Sequence, residues 1–322
     1  MRRVRIGIDV GGTFTDAVAV DNETYEIIAQ DKLPTTHGAA EGVAAGIIEI
    51  LQKLLTENHI APEEVVFIAH GTTQATNALL EGDVAKVGIL GMGNGFWAGC
   101  AASDTAVEDI PLAPGKTLAA VHAFARVADA ASQGETIRAR IDALARQGAA
   151  VIVASEAFGV DAPEGERFVM DLAREKGLFA TGGHEVSRLY GLKTRTCTAV
   201  INGSLIPKMM ETADMTENSV RRSGITAPLL IMRCDGGVMA ADEVRRRPIL
   251  TMLSGLAAGV AGALMYEKMS NGIFLESGGT STDISAVRDG RVMARGGELG
   301  GHKLYLRSLD VRTLGVAGGS MI

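Results

Sequence analysis

The sequence has few aromatic residues and no excess of positive charge, and both scarcities limit what it can bind. Aromatic side chains make up only 4% of the 322 residues, which argues against a stacking platform for single-stranded nucleic acid. The formal net charge is −7, so the chain lacks the basic surface that DNA- and RNA-binding proteins use. We therefore expect no nucleic-acid partner.

Cysteines and long apolar runs are also scarce. Cys100, Cys197 and Cys234 show no CxxC spacing, which favours free thiols in a reducing compartment over a structural zinc site. The longest apolar stretch, around residues 253–265, is rich in glycine and alanine and too short to span a bilayer. The first residues lead into a strand at Val4 without an apolar signal segment. These features predict a cytoplasmic protein that does not associate with membranes.

The length of the chain suits two domains. Apolar runs of strand type alternate with runs of helical periodicity, which predicts an α/β fold. We place the boundary near Gly182-Gly183-His184, so that residues 1–183 form the first lobe and residues 184–322 the second. His184 and His302 are interpreted as surface or loop residues.

Local patterns predict individual elements. The predicted strands are 4–10, 14–20, 25–32, 65–69, 85–90, 149–154, 229–233 and 284–287. The predicted helices are 39–58, 74–81, 136–147, 164–175, 196–213 and 240–246, with a kink or break expected at Pro207.

One short phrase occurs twice, more than 260 residues apart. Residues 9–16 read DVGGTFTD and residues 276–283 read ESGGTSTD. Each phrase consists of an acidic residue, a spacer, Gly-Gly-Thr, another spacer and Thr-Asp, and each follows an apolar strand. Paired glycines at a strand end can turn backbone N–H groups toward an anion, and the preceding carboxylate can hold a divalent cation directly or through water. Two such loops suggest a nucleotide held between two related lobes.

Other segments carry polar or small residues at the ends of predicted elements. The loop His70-Gly71-Thr72-Thr73 links a strand to a helix, and Asp235-Gly236-Gly237 follows another strand. The small residues of 254–263 permit close packing and would leave N–H groups at Ser254 and Gly255 open to an anion. The chain ends with residues 309–320, where a strand leads into Gly318-Gly319-Ser320. No helix follows, so we expect the closing elements of this lobe to come from a longer polypeptide or from another chain.

The ordered set of motifs resembles the hydantoinase A, 5-oxoprolinase and acetone carboxylase subunit family, within the actin, sugar-kinase and Hsp70 ATPase superfamily. The segments that carry the resemblance span nearly the whole chain; they are 11–16, 70–81, 235–237, 254–263, 278–285 and 310–320. Three positions depart from the family pattern: Glu276 replaces Asp, Leu256 replaces Pro, and Ala317 replaces a Gly.

The resemblance implies two lobes of ribonuclease-H type that enclose ATP and Mg²⁺, with room for a monovalent cation. It implies catalytic roles for Asp9, Glu276 and Asp283, and metal binding, direct or through water, by Asp9 and Glu276. The nucleotide-binding residues that it implies are Gly11, Gly12, Thr13, Thr15, Gly71, Thr72, Thr73, Gly278, Gly279, Thr280, Thr282, Gly318, Gly319 and Ser320. The substrate candidates are His70, Asp235 and Gly236.

Structural roles remain open for several of these residues. Asp16 and Asp283 can hold the loop threonines or a metal-bound water, and they can equally form Asx turns. His70 can be a hydrogen-bonded anchor, and Asp235 can close a tight turn.

By resemblance, the expected activity is ATP-dependent opening of a cyclic amide of the hydantoin, N-methylhydantoin or 5-oxoproline type, by phosphoryl transfer to the ring carbonyl. The alternatives are a non-catalytic ATPase switch of reactivase type and, less favoured, a small-molecule kinase. A B-type partner subunit and an oligomeric assembly are both compatible with the family.

Overall fold

A computed structural model describes residues 2–36, 43–127, 133–278, 282–314, 316 and 318–320. The elements up to residue 182 are β1 (Val4–Val10), β2 (Phe14–Asp21), β3 (Ile27–Pro34), α1 (Val43–Glu57), β4 (Val65–Thr72), α2 (Gln74–Glu81), β5 (Val87–Gly93), α3 (Ala98–Thr105), β6 (Ile110–Ala113), β7 (Lys116–Leu118), β8 (Ala120–Arg126), α4 (Gly134–Arg146), β9 (Val151–Glu156), α5 (Glu164–Glu175) and β10 (Phe179–Gly182).

The remaining elements are α6 (Gly183–Val186), α7 (Leu192–Arg222), β11 (Leu229–Met232), β12 (Val238–Ala240), α8 (Ala241–Arg246), α9 (Ser254–Glu267), β13 (Gly272–Ser277), β14 (Thr282–Arg288), β15 (Arg291–Val292), β16 (Ala294–Leu299), β17 (His302–Leu309) and β18 (Val311–Leu314). No helix among the described residues is both long and apolar enough to cross a membrane.

The first sheet has six strands in the order β12-β11-β4-β1-β2-β3. The strands β1, β4 and β11 run parallel, while β2, β3 and β12 are antiparallel to their neighbours. Because β1 and β4 are central, their alternating apolar residues pack into the main core, where Ile6, Ile8 and Ile68 are almost fully buried. The carboxyl ends of β1, β4 and β11 consequently meet at one edge of the sheet.

The second sheet has four parallel strands in the order β10-β9-β5-β8. Of the strands in this sheet, β5 comes first in the chain. It lies in the interior of the sheet, with β8 on one side and β9 and β10 on the other. A separate apolar cluster, which includes Ile141, Ile152 and Val169, packs α4 and α5 against this sheet. Parallel strands need such helical cover because they are buried on both faces.

A third sheet forms near the end of the chain. β14 pairs with β13, β15 and β18, and all three pairings are antiparallel. A small core of Ala257, Val260, Leu309 and Val311 joins this region to α9. The pairs β16–β17 and β6–β7 form two further two-stranded sheets.

Most predicted elements are confirmed, including the helices at residues 74–81 and 164–175 with their bounds unchanged. Strand β4 extends past the predicted end at Ala69 to Thr72. The predicted helix 39–58 lies only partly within the described residues, which show helix from Val43 to Glu57.

The long helix α7 differs most from its prediction. It covers 31 residues and continues through Pro207, so of the expected kink or break the break is wrong, and the kink stays a prediction. All residues from Arg195 to Ile206 are buried, and this stretch has no polar face whose pattern could mark the helix ends. Packing against β9 and β10 of the second sheet, against β17 and against α1 stabilises α7 despite the N–H that proline lacks.

The boundary near residue 183 stays a prediction. It falls between β10 and α6. Sheet membership does not follow it, because β11 and β12 come after this point and pair into the sheet that contains β1.

Candidate functional site

The duplicated phrase forms the same hairpin twice. In the β1–β2 hairpin Asp9 lies directly opposite Asp16, and in the β13–β14 hairpin Glu276 lies directly opposite Asp283. Directly opposed residues of antiparallel strands project from the same face of the sheet. Each copy therefore presents two carboxylates side by side.

Helix α9 packs against the end of β4, beside the first hairpin. The Ser254 hydroxyl donates a hydrogen bond to the Thr72 carbonyl at 3.0 Å, and the backbone N–H of Leu253 donates to Thr76 Oγ1 at 3.0 Å. These bonds fix the start of α9 against the loop between β4 and α2.

Glycines bring α9 and β4 close to the acidic side chains. A Cβ atom built on Gly71 would lie 2.9 Å from Asp9 Oδ1, and one built on Gly255 would lie 3.5 Å from the same oxygen. One helical turn further on, a Cβ on Gly259 would lie 2.6 Å from Glu276 Oε2. The same face of α9 therefore lies against the leading carboxylates of both hairpins, and the absence of a Cβ at Gly71 and Gly259 lets these carboxylates approach closely.

The two leading carboxylates repel one another. Burial raises the pKa of Asp9, the Asp16 charge raises it further, and Lys32 partly offsets both effects. Burial likewise raises the pKa of Glu276, and the charges of Asp9 and Asp283 add to this shift. Asp9 is open to solvent on one side and crowded by protein atoms on the others. A cation bound between Asp9 and Glu276 would relieve the repulsion between their carboxylates.

A cavity of about 710 Å³ opens in front of Asp9. Its lining includes Asp9, Asp16, Lys32, Gly71 and Ala258 of α9. The Lys32 ammonium lies 3.0 Å from Asp16 and supplies a positive charge at the cavity wall. The volume is in the range of pockets that enclose small organic ligands.

The first glycine loop is a tight turn. The Gly11 N–H donates to the Phe14 carbonyl at 2.9 Å, and the Thr35 hydroxyl donates to the Gly11 carbonyl at 2.8 Å. Thr15 is fully buried, with its hydroxyl 3.3 Å from that of Thr35. Gly12 and Thr13 are exposed at the tip of the turn. Gly11 is therefore bonded within the turn, Gly11 and Thr15 are both bonded to Thr35 at the end of β3, and Gly12 and Thr13 are exposed to solvent.

The second glycine loop lies beside the end of the chain. Gly279 and Thr280 lie outside the described residues. The Gly318 N–H donates to the Gly278 carbonyl at 3.2 Å, and the Thr282 hydroxyl donates to the Val316 carbonyl at 2.6 Å. The structure therefore brings the predicted nucleotide-binding residues Gly278, Thr282, Gly318, Gly319 and Ser320 into one region, where the last three are exposed.

The His70–Thr73 segment divides between the two faces of the first sheet. Gly71 aligns with Asp9 and faces it, whereas His70 aligns with Ile8 on the buried face. Burial lowers the pKa of His70 to about 4, although a hydrogen bond with the backbone of Ile8 opposes this shift. A neutral imidazole in this position anchors β4, and it is not part of the cavity that contains Asp9.

Two threonines of this segment and the Asp235 turn make local bonds. Thr72 Oγ1 accepts a bond from the Gln74 N–H at 3.2 Å, and Thr73 Oγ1 accepts one from the Asn77 side chain at 3.4 Å. Asp235 accepts from the Gly237 N–H at 3.1 Å and pairs with Arg233 at 2.6 Å, while Gly236 has a φ of 83°. These contacts form a helix start and a tight turn; a substrate role for Asp235 and Gly236 stays a prediction.

Sequence reasoning missed two contributors to the site. Lys32 belongs to no motif, and it reaches the site because β3 pairs with β2 in the register that places it opposite Asp16. Gly259 had a usable signal, since Gly255 and Gly259 are four residues apart in a predicted close-packing segment. No three His, Cys, Asp or Glu side chains of the described ranges are placed to bind one metal ion together.

The fold defines the class of protein. Nucleotide-free acetone carboxylase superposes with a TM-score of 0.76 at 20% identity, covering 98% of this chain and 48% of that chain. The ATP-dependent caprolactamase of Pseudomonas jessenii superposes with a TM-score of 0.70 at 24% identity, covering 96% of this chain and 48% of that chain. The predicted fold class is confirmed: this is the mixed α/β fold of the actin-like ATPases.

The chain belongs to the hydantoinase/oxoprolinase family. The model of the family's N-terminal region matches residues 5–177, and the hydantoinase/oxoprolinase model matches residues 195–322. The caprolactamase alpha subunit of Pseudomonas jessenii is 26% identical over 99% of this chain and 49% of its own length. The acetophenone carboxylase gamma subunit of Aromatoleum aromaticum is 26% identical over 89% of this chain and 43% of its own length. The chain therefore spans about half the length, or less, of these relatives.

Proposed function

We propose that the chain binds ATP between the two acidic hairpins and uses it to open a cyclic amide. The observation that carries this proposal is the juxtaposition of Asp9 and Glu276 along one face of α9, each at the start of a glycine loop. The relatives support it, because they include an ATP-dependent caprolactamase and the 5-oxoprolinase 1 of Arabidopsis thaliana.

The site suits a magnesium ion bound mainly through water. Magnesium keeps several waters and takes only one or two carboxylates in addition to substrate phosphates, so a cluster of three protein ligands is not required. Asp9 and Glu276 fit this role, since both have raised pKa values that a nearby divalent cation would lower. When bound, the ion would neutralise charge on the transferred phosphoryl group.

The protein's own residues would position the reactants. Gly12 and Thr13 at the exposed turn, with Gly278 and Thr282 opposite, would contact the β and γ phosphates. Asp16 would hold Lys32, whose ammonium would reach a phosphate or substrate oxygen in the cavity. The exposed Gly318–Ser320 segment would contact the nucleoside.

The chemical step removes the resonance that protects an amide. The lactam carbonyl oxygen attacks the γ-phosphorus, a new P–O bond forms, and the bond to the β-phosphate oxygen breaks to release ADP. Water then adds to the activated carbon, and the C–N bond breaks with protonation of nitrogen, which leaves an acyl phosphate on the opened chain. A second water hydrolyses this acyl phosphate to a carboxylate and inorganic phosphate. Catalysis consists mainly of positioning and charge neutralisation, which the two hairpins would provide.

The test is ATP turnover in the presence of hydantoin, N-methylhydantoin, 5-oxoproline and caprolactam, with and without a B-type partner subunit. A partner is part of the proposal because two of the relatives are named as alpha and gamma subunits. We expect at least one cyclic amide to stimulate hydrolysis with stoichiometric ring opening. ATP hydrolysis that no cyclic amide alters would instead indicate an ATPase switch.

Replacing Gly259 with alanine is expected to reduce this turnover by about tenfold to a hundredfold while leaving thermal stability near that of the wild type. The new methyl group would meet Glu276 Oε2 at 2.6 Å and Phe274 Cζ at 3.2 Å. The Glu276 carboxylate ends a flexible side chain and can move away at little cost to stability. It then leaves its position beside Asp9 on the face of α9.

Gly262→Ala is the matched control. Gly262 lies on the same helix, and a Cβ there would meet nothing within 4 Å. We expect unchanged turnover and a gain in stability of up to about 1 kcal/mol from helix propensity. Phosphate release measures turnover, and calorimetry measures thermal stability. Equal turnover in the two variants would contradict the placement of Glu276 in the site.

A further inference from the structure

A second polar cavity, of about 550 Å³, lies between α5, α6 and α8. Four arginines and two glutamates contribute to its lining, so the lining carries a formal excess of two positive charges. This local charge is opposite to the net charge of −7 for the whole chain. The excess is not a general property of the surface.

Two of the four arginines have no partner among the residues that the structure describes. Arg247 pairs with Glu243, and Arg167 lies 4.0 Å from Glu164. Over the described ranges, the side chains of Arg188 and Arg246 have no hydrogen bond or ion pair, although both line the cavity. Like charges that converge on one cavity repel each other unless an anion lies between them.

The position of Arg246 is set by a buried side chain. Asn202 of α7 is fully buried, and its Nδ2 donates to the Arg246 carbonyl at 2.8 Å while its Oδ1 accepts from the Ile249 N–H at 3.2 Å. The end of α8 is thereby held against the core. This fixes the backbone from which the exposed Arg246 side chain extends to the cavity.

His184 adds an oriented imidazole to the same cavity. Its Nδ1 lies 2.6 Å from Oε2 of Glu166, a fully buried carboxylate, and its backbone N–H donates to the same oxygen at 2.8 Å. An ionised carboxylate only accepts hydrogen bonds, so Nδ1 is the donor and Nε2 is left to serve the cavity. Glu166 also accepts from the Glu156 N–H at 2.9 Å, which ties the ends of β9 and β10 together.

The cavity lies at the end of an outer strand of the second sheet. Gly182 ends β10, and Gly183-His184 follow at the carboxyl edge of the parallel sheet. The sheet therefore fixes the position from which His184 reaches the cavity.

We propose that this cavity binds a small oxyanion, a carboxylate or a phosphate carried by a small molecule. Arg188 and Arg246 donate to its oxygens, and His184 donates a further hydrogen bond from Nε2 when its imidazole carries both protons. The planar guanidinium groups suit both kinds of oxyanion. The site is distinct from the cavity that contains Asp9, since the two share no lining residue.

Isothermal titration of the whole chain with inorganic phosphate and, separately, with glutarate tests this proposal and distinguishes the two sources. We expect at least one anion to bind, Arg188→Gln and Arg246→Gln each to weaken it about tenfold, and the double variant to weaken it more. His184→Gln should also weaken binding.

Arg140→Gln is the matched control, because Arg140 is an exposed arginine on α4 outside the cavity and the change removes the same charge. It should bind like the wild type. Binding that the double arginine variant retains at wild-type strength would overturn the proposal, as would the absence of binding of both anions up to about 10 mM. The mutated arginines are exposed, so circular dichroism should show intact folding in every arginine variant.

Discussion

Asp9→Asn is expected to lower ATP turnover at least about a hundredfold while the protein remains as stable as the wild type or becomes more stable. The asparagine amide has the shape of the carboxylate, but it carries no negative charge with which to bind a cation. It also removes one of the charges that raise the pKa of Glu276. A residue that serves function in an environment that destabilises its charged form can be replaced with loss of activity and no loss of stability.

The stability difference should depend on pH. Because the folded-state pKa of Asp9 lies above its ordinary value of 3.8, its contribution to stability is complete below pH 3.8 and is lost as the pH rises through the raised value. The variant does not titrate at this position. Its melting temperature relative to wild type should therefore increase between about pH 4 and pH 7.

Asp289→Asn provides the control for this experiment. Asp289 is an exposed turn residue with a φ of 51°, which asparagine tolerates well, and the substitution removes the same charge. Turnover and melting temperature should stay close to wild type. A fully active Asp9→Asn protein would show that the cation and the phosphoryl group lie elsewhere.

Gly91→Ala is expected to destabilise the fold by about 3 kcal/mol or more. Gly91 is a buried residue of β5, and a Cβ there would press on Thr105 Oγ1 and lie 2.8 Å from Thr105 Cβ. Thr105 is fully buried, donates to the Ala101 carbonyl at 2.8 Å and lies 3.1 Å from His122 Nε2. A branched side chain with these contacts cannot move aside, so β5 or α3 must shift.

Gly99→Ala separates this clash from the general effect of adding a methyl group. Gly99 is exposed on α3, and a Cβ there would meet nothing within 4 Å. We expect no loss of stability, and a small gain because alanine favours helix. Thermal melts and hydrogen exchange across β5 measure both variants; similar melting temperatures would contradict the packing described for Gly91.

Local sequence was sufficient for elements whose pattern has one exposed and one buried face. Helices α2 and α5 begin and end where periodicity and flanking residues predicted. Helix α7 exceeded its prediction because it is buried on all sides over much of its length, so polar and apolar residues do not separate there into an exposed and a buried face. Strand pairing between β4 and β11 joins residues more than 150 apart, and no local pattern encodes it.

The site likewise has features that local sequence determined and features that only the tertiary structure determined. The duplicated phrase itself identified the two acidic glycine turns. The pairing of Asp9 with Asp16 and of Glu276 with Asp283, which the structure shows, is also local, because a short turn between two strands of alternating residues sets its own register. Only the tertiary structure decided that α9 lies against both Asp9 and Glu276, that Lys32 pairs with Asp16 in the same cavity, and that His70 faces away. Those outcomes depend on packing between segments distant in the chain, where the absence of a Cβ at Gly71 and Gly259 permits an approach that no local propensity specifies.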